Sequence, residues 1–130
     1  MIERAREAGF SAYVGDGSNR WPAVHRRDAA RLFLLALDRA KAGARLHAVG
    51  EEGVPLRAIA LAIGEGLGLP VRSLGEAEVA PHFGFVGMMV GADLPATCAI
   101  TRETTGWRPT EPGLLEGLRT GGYLPGALSE

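Results

Sequence analysis

Apolar and polar positions alternate most tellingly between residues 20 and 43. Trp21-Pro22-Ala23-Val24 has the period of an extended strand, and residues 29–40 then run without a glycine or proline until Gly43. Asp28, directly before that run, reads as a helix N-cap, a role that typically contributes about 1 kcal/mol. The helix is not cleanly one-sided. Asp28, Arg31, Asp38, Arg39 and Lys41 share one arc, yet at about 100° per residue Leu34 and Leu35 fall within it, so the helix is covered on two sides or awaits a partner.

The clearest amphipathic helix begins near Pro55, where Leu56, Ile59, Ala60, Ile63 and Leu67 keep the spacing of a single buried stripe. Gly64, Gly66 and Gly68 are expected to loosen its end, and Pro70 to stop it. Upstream, residues 2–8 read as the end of a helix closed by Gly9, residues 10–14 as a short strand, and Gly15-Asp16-Gly17-Ser18-Asn19 as a turn. Residues 45–49 read as a strand followed by a turn at Glu51-Glu52-Gly53. Beyond Gly75 the pattern is irregular: one or two helical turns at 75–82, an apolar helix at 83–90, a short helix at 101–105 and a last helix at 112–120.

Composition narrows the function classes. The chain has 130 residues and a formal charge of −1 with both signs interspersed, which is one domain or part of one, without the basic stripe that nucleic acid requires. The single cysteine, Cys98, closes no intrachain disulfide, and His25, His47 and His82 lack metal-ligand spacing, so a reducing compartment, the cytoplasm, is the expected location. The longest uncharged apolar run, residues 83–92, is about half of a bilayer span. No membrane partner is expected.

Few residues offer chemistry. His25 sits at a strand-to-helix turn, where an imidazole serves as a general base or substrate donor, or simply satisfies neighbouring backbone groups. Arg20, Arg26 and Arg27 are candidates to receive an anionic substrate group; solvated surface is the simpler reading for the last two. Neither glycine cluster is a phosphate loop: Gly15-x-Gly17 leads into Arg20-Trp21-Pro22, and Gly64-x-Gly66-x-Gly68 closes a helix, where the dipole repels anions. Phe83, Phe85, Met88 and Met89 form either ordinary core or an adaptable apolar pocket.

Three segments together carry a family resemblance. Gly15-x-Gly17-x-x-Arg20-Trp21-Pro22-Ala23-Val24-His25-x-x-Asp28-Ala29-Ala30-Arg31 resembles the VHVDDvA segment of extended and atypical short-chain dehydrogenases/reductases, the NAD-dependent epimerase/dehydratase superfamily. Leu46-His47-Ala48-Val49-Gly50-x-x-Gly53-Val54-Pro55-Leu56 is similar to the family's next strand, glycine turn and helix. Thr101-x-x-Thr104-Thr105-Gly106-Trp107-Arg108-Pro109 resembles its LGW-x-P terminus.

The resemblance implies an α/β chain: the helix-rich, C-terminal, substrate-side part of a Rossmann-type short-chain dehydrogenase fold, with two or three short, mostly parallel strands, forming a single partial domain over residues 1–130. It also implies what this stretch omits. The family's cofactor turn and its Tyr-x-x-x-Lys pair lie upstream of the matched region; the only lysine here, Lys41, has Leu37 four residues before it. The chain is therefore expected to hold no catalytic or cofactor residues and no metal, with NAD or NADP bound by a longer parent. It would shape a small-molecule pocket from Arg20, Trp21, His25, Phe83, Phe85 and Met88. Trp21, where sugar-nucleotide epimerases tend to have Arg, argues for a smaller or more apolar substrate. The alternative is a non-catalytic module that self-associates, as a homo-oligomer, through the face a cofactor domain would cover.

Overall fold

The computed structural model describes residues 1–120, 123 and 124. Helix α1 spans Ile2–Ala8 and ends where Gly9 turns left-handed at φ 76°, a conformation open to glycine at no steric cost, with its N–H bonded to Ala5 O. Strand β1 (Ser11–Val14) and strand β2 (Arg20–Ala23) follow, then helix α2 (Arg26–Arg39), strand β3 (Glu51–Pro55) and helix α3 (Leu56–Leu67). Strand β4 (Val71–Leu74) leads to helix α4 (Glu76–Phe83), a 3-10 turn at Gly84–Val86, and helices α5 (Gly87–Val90), α6 (Ala99–Thr105) and α7 (Leu114–Arg119).

The fold is α/β and rich in helix, with four short strands in two pairs among the described residues. β1 and β4 run parallel, Ser11 opposite Val71 and Val14 opposite Leu74, and α3 is packed on β1 on the way to β4. β2 and β3 are antiparallel, Arg20 opposite Pro55 and Trp21 opposite Val54, with an irregularity between Trp21 and Ala23. Pro22, which has no N–H to donate, lies within that irregularity.

Several elements differ from the sequence expectation. Residues 45–49 form no strand; the strand is Glu51–Pro55, where a turn was expected, because that backbone lies alongside β2 and pairing outweighs the weak strand propensity of Glu and Gly. β4 was hidden after Pro70. The expected helix at 83–90 is broken into a 3-10 turn and a single α-helical turn around Gly84 and Gly87.

The cap of α2 is likewise displaced. Its N-cap is His25, whose Nδ1 accepts a hydrogen bond from the Arg27 N–H at 3.2 Å. Asp28 sits three residues further, inside the first turn, and is only 1% exposed. Its carboxylate accepts from the backbone N–H groups of Thr110 (2.9 Å) and Glu111 (3.1 Å) and from the Arg31 guanidinium, so it fastens the C-terminal loop onto α2.

Two apolar clusters result. The larger joins Leu56, Ile59 and Ile63 of α3 with Ala12, Leu74, Phe83, Val90 and Leu118; the smaller joins Leu32 with Val49, Cys98 and Trp107. The α3 stripe is thus buried as its spacing requires. Gly64 and Gly66 do not loosen the helix but let neighbours approach, and Gly68 caps it in the left-handed region at φ 65°. A Cβ at Gly64 would collide with the Val71 side chain and lie 2.9 Å from Leu69 O. Gly64→Ala is therefore expected to lower stability by about 1–3 kcal/mol, against the usual gain for alanine in a helix, as read from the urea midpoint.

Candidate functional site

A cavity of about 500 Å³ opens between α1, β2, α3 and α7. Trp21, Ile59, Ile63, Leu114, Leu118 and Tyr123 form most of its wall, and Met1, Ile2 and Glu3 close one side. Each wall has a local cause. Ile59 and Ile63 are one helical turn apart on α3, Leu114 and Leu118 one turn apart on α7, and the two helices pack side by side. Tyr123 lies against Gly117, where a Cβ would come within 2.8 Å of the ring. The volume lies within the range of small-molecule pockets, about 300–1,000 Å³.

The residues singled out in the sequence are distributed unevenly about this cavity. Trp21 lines it, held by its indole N–H donating to Met89 O at 3.1 Å. His25 stands behind the wall, its ring edge-on to Tyr123 at 6.5 Å between centroids, and its Nδ1 lone pair is committed to the α2 cap. In its neutral form the other ring nitrogen, Nε2, therefore carries the proton. Glu111 Oε2 lies 4.0 Å from the same ring. Phe83 is buried in the larger cluster against the edge of His82, whereas Phe85 (84% exposed) and Met88 (76% exposed) face solvent. None of these three lines the cavity.

Arg20 is paired. Its Nε and Nη2 reach the Asp93 carboxylate at 3.1 and 2.9 Å, and its backbone N–H donates to the same group at 2.7 Å. This pairing raises the arginine and holds Asp93 below the usual carboxylate range, chiefly through the Arg20 side-chain hydrogen bond. Asn19 Nδ2 donates to Val90 O and Ala92 O, and the Leu94 N–H donates to Arg20 O. Residues 89–94 are in this way strapped along β2. Because the folded state depresses the Asp93 pKa, its contribution is present above the unfolded carboxylate value and is lost as pH falls through the folded one. Acidification below about pH 4 is expected to loosen the strap, read as faster exchange of the Trp21 indole proton, and Asp93→Asn to loosen it already at neutral pH.

The sequence offered little sign of Tyr123, and it presented Ile59 and Ile63 only as core. The α3 stripe was the available signal, since a stripe that faces both a sheet and a short terminal helix leaves room where the two diverge.

The two glycine clusters are packed unevenly. Gly17 abuts Arg57 and Tyr13, and Gly64 and Gly66 abut the Val71 and Leu124 side chains, whereas Gly15 and Gly68 have no neighbour within 4 Å. Among the described residues no group of three or more His, Cys, Asp or Glu side chains is placed to hold a metal ion, and no helix is long and apolar enough to cross a membrane.

No protein-family model matches the sequence. Two curated relatives do: an uncharacterized protein of Schizosaccharomyces pombe, 45% identical over 124 residues, and an uncharacterized protein of Saccharomyces cerevisiae, 47% identical over 119 residues. These alignments take in 95% and 92% of this chain but only 42% and 40% of the relatives, so the chain spans about two fifths of their length. Among solved structures, the dTDP-glucose 4,6-dehydratase DesIV of Streptomyces venezuelae, with NAD bound, superposes with a TM-score of 0.63 at 23% identity, over 91% of this chain and 34% of that one. RMD of Pseudomonas aeruginosa in complex with NADPH (TM-score 0.60, 14% identity, 91% and 38%) and MoeE5 with UDP-glucuronic acid and NAD (TM-score 0.60, 20% identity, 92% and 38%) match similarly. The fold is thus that of Rossmann-type short-chain dehydrogenase/reductase proteins, over about a third of their length.

Proposed function

We propose that this chain is the C-terminal, substrate-side portion of an NAD(P)-dependent oxidoreductase or epimerase of the short-chain dehydrogenase/reductase type, and that it shapes the substrate pocket without itself holding the nicotinamide. The observation that carries this reading is the cavity walled by Trp21, α3 and α7, in a fold whose solved neighbours bind NAD or NADPH as longer chains. The close packing at Gly17, Gly64 and Gly66 supports leaving the cofactor to a separate portion of the fold.

A chimera tests it. This chain replaces the matching segment of the S. pombe relative, and NADPH fluorescence is titrated on the chimera, the relative and the isolated chain. The relative and the chimera are expected to bind and the isolated chain not to. Binding by the isolated chain, or no binding by a folded relative or chimera, overturns the reading.

One observation favours a second reading, self-association on the outer face of α2. Phe33, Leu34 and Leu37 are all exposed there, Leu37 at 87%, whereas Leu35 packs against the smaller cluster. Apolar patches of this kind mark interfaces. Light scattering at two concentrations is expected to show a larger species that Leu37→Glu dissociates; a monomer at both concentrations sinks the idea.

A further inference from the structure

We propose that the cavity between α1, α3 and α7 takes a neutral, largely apolar small molecule carrying a single hydrogen-bonding group, such as an aromatic ketone or alcohol, and excludes nucleotide diphosphates. The proposal rests on the reading of this cavity as the substrate pocket.

Its chemistry follows from what the wall contains and from what the nearby polar groups already hold. Among the described residues no arginine, lysine or histidine side chain lines it. A diphosphate is ordinarily met by guanidinium groups, lysines or the free N–H groups of a helix start. The cation beside Trp21 is Arg20, and both arms of its guanidinium fork are engaged by Asp93. At the start of α7, beside the cavity, the Leu114 N–H donates to Glu51 Oε2 at 2.7 Å, so a carboxylate occupies the place where a phosphate would sit. Among the described residues the charged side chain of the wall is Glu3, an exposed anion paired with Arg6 at 3.1 Å, which offers no donor to a phosphate.

The remaining surface is Trp21, Ile59, Ile63, Leu114 and Leu118, which gains from burying apolar area. The Trp21 N–H is held by Met89 O; among the described residues of the wall the other uncharged side-chain polar group is the Tyr123 hydroxyl. Solved neighbours of the same fold are named for dTDP-glucose or hold UDP-glucuronic acid; the described side chains of this wall carry no positive charge to suit those ligands, and burial disfavours the charged form of the Met1 ammonium.

The test is a titration of the ¹⁵N-labelled chain followed by NMR, with 1-tetralone and UDP-glucose as separate probes. Of the two tryptophan indole signals, assigned with Trp21→Phe, that of Trp21 is expected to move and saturate with 1-tetralone at submillimolar concentration while that of buried Trp107 stays. UDP-glucose is expected to move neither. Leu114→Gln, which brings an unpaired amide into the wall at the half-buried start of α7, is expected to weaken 1-tetralone about tenfold.

A Trp21 response to UDP-glucose, no response to 1-tetralone, or a Trp21 signal that shifts with protein concentration alone would each overturn the proposal, the last because a second copy then fills the cavity. The titration needs no nicotinamide. Its failure beside an NADPH-binding chimera would reject the substrate class and leave the broader reading standing.

Discussion

Asp28→Ala is expected to destabilise the chain by about 3–5 kcal/mol, a large share of the roughly 5–15 kcal/mol that holds a domain of this size. The carboxylate is 1% exposed and serves three donors: the N–H groups of Thr110 and Glu111 and the Arg31 guanidinium. Truncation leaves two backbone N–H groups without their acceptor in a part-buried loop, each costing about 1–3 kcal/mol. Arg31 keeps Glu111 as a partner at 3.0 Å, which limits the penalty for its charge. Asp28→Asn should fall between wild type and alanine, since one amide oxygen replaces two carboxylate oxygens and the NH₂ group faces donors. Urea denaturation of the three proteins checks the order. An alanine variant within 1 kcal/mol of wild type, on the order of one ordinary hydrogen bond, would mean that the loop at 110–111 is held by other contacts.

The misreading of Asp28 shows where sequence pattern stops. An aspartate before an unbroken helical run has the composition of a cap, but a cap is defined by where the first turn begins, and Val24-His25 stays extended only as far as His25, whose ring takes the role. What placed Asp28 inside the helix was a partner some eighty residues away. The same division runs through the fold. Gly9 and the Leu56-Ile59-Ile63 stripe were legible because their causes are local: a left-handed glycine and a period of 3.6. β3 and β4 were not, because Glu51-Glu52-Gly53 and Val71-Arg72-Ser73-Leu74 become strands only when β2 and β1 lie beside them. In the candidate site, Trp21, near the start of the extended segment that precedes α2, is a pocket candidate in the sequence and lines the cavity. Phe85 and Met88 misled because apolar character alone does not say which way a broken helix turns its side chains, and both turn outward.

Trp107→Ala is expected to cost about 3–5 kcal/mol, in the range for removing a large buried aromatic side chain. Trp107 is 1% exposed, packs with Leu32, Val49 and Cys98, and donates its indole N–H to Asp28 O at 2.8 Å. Trp107→Phe separates the contributions: it keeps most of the apolar contact and loses the hydrogen bond, so about 1–2 kcal/mol is expected. Because the indole and the Asp28 carboxylate hold the same loop onto α2 through opposite ends of one residue, Trp107→Phe and Asp28→Asn should couple by 0.5 kcal/mol or more on the general scale for contacting residues. The smaller cluster contains Trp107 and the larger does not. Hydrogen exchange in Trp107→Phe should therefore accelerate first in α2 and α6, while the α3 amides stay protected, since local opening follows the packed unit that has been weakened. Equal acceleration in α3 would show that the two clusters open as one, and that the cavity wall depends on the C-terminal loop for its stability.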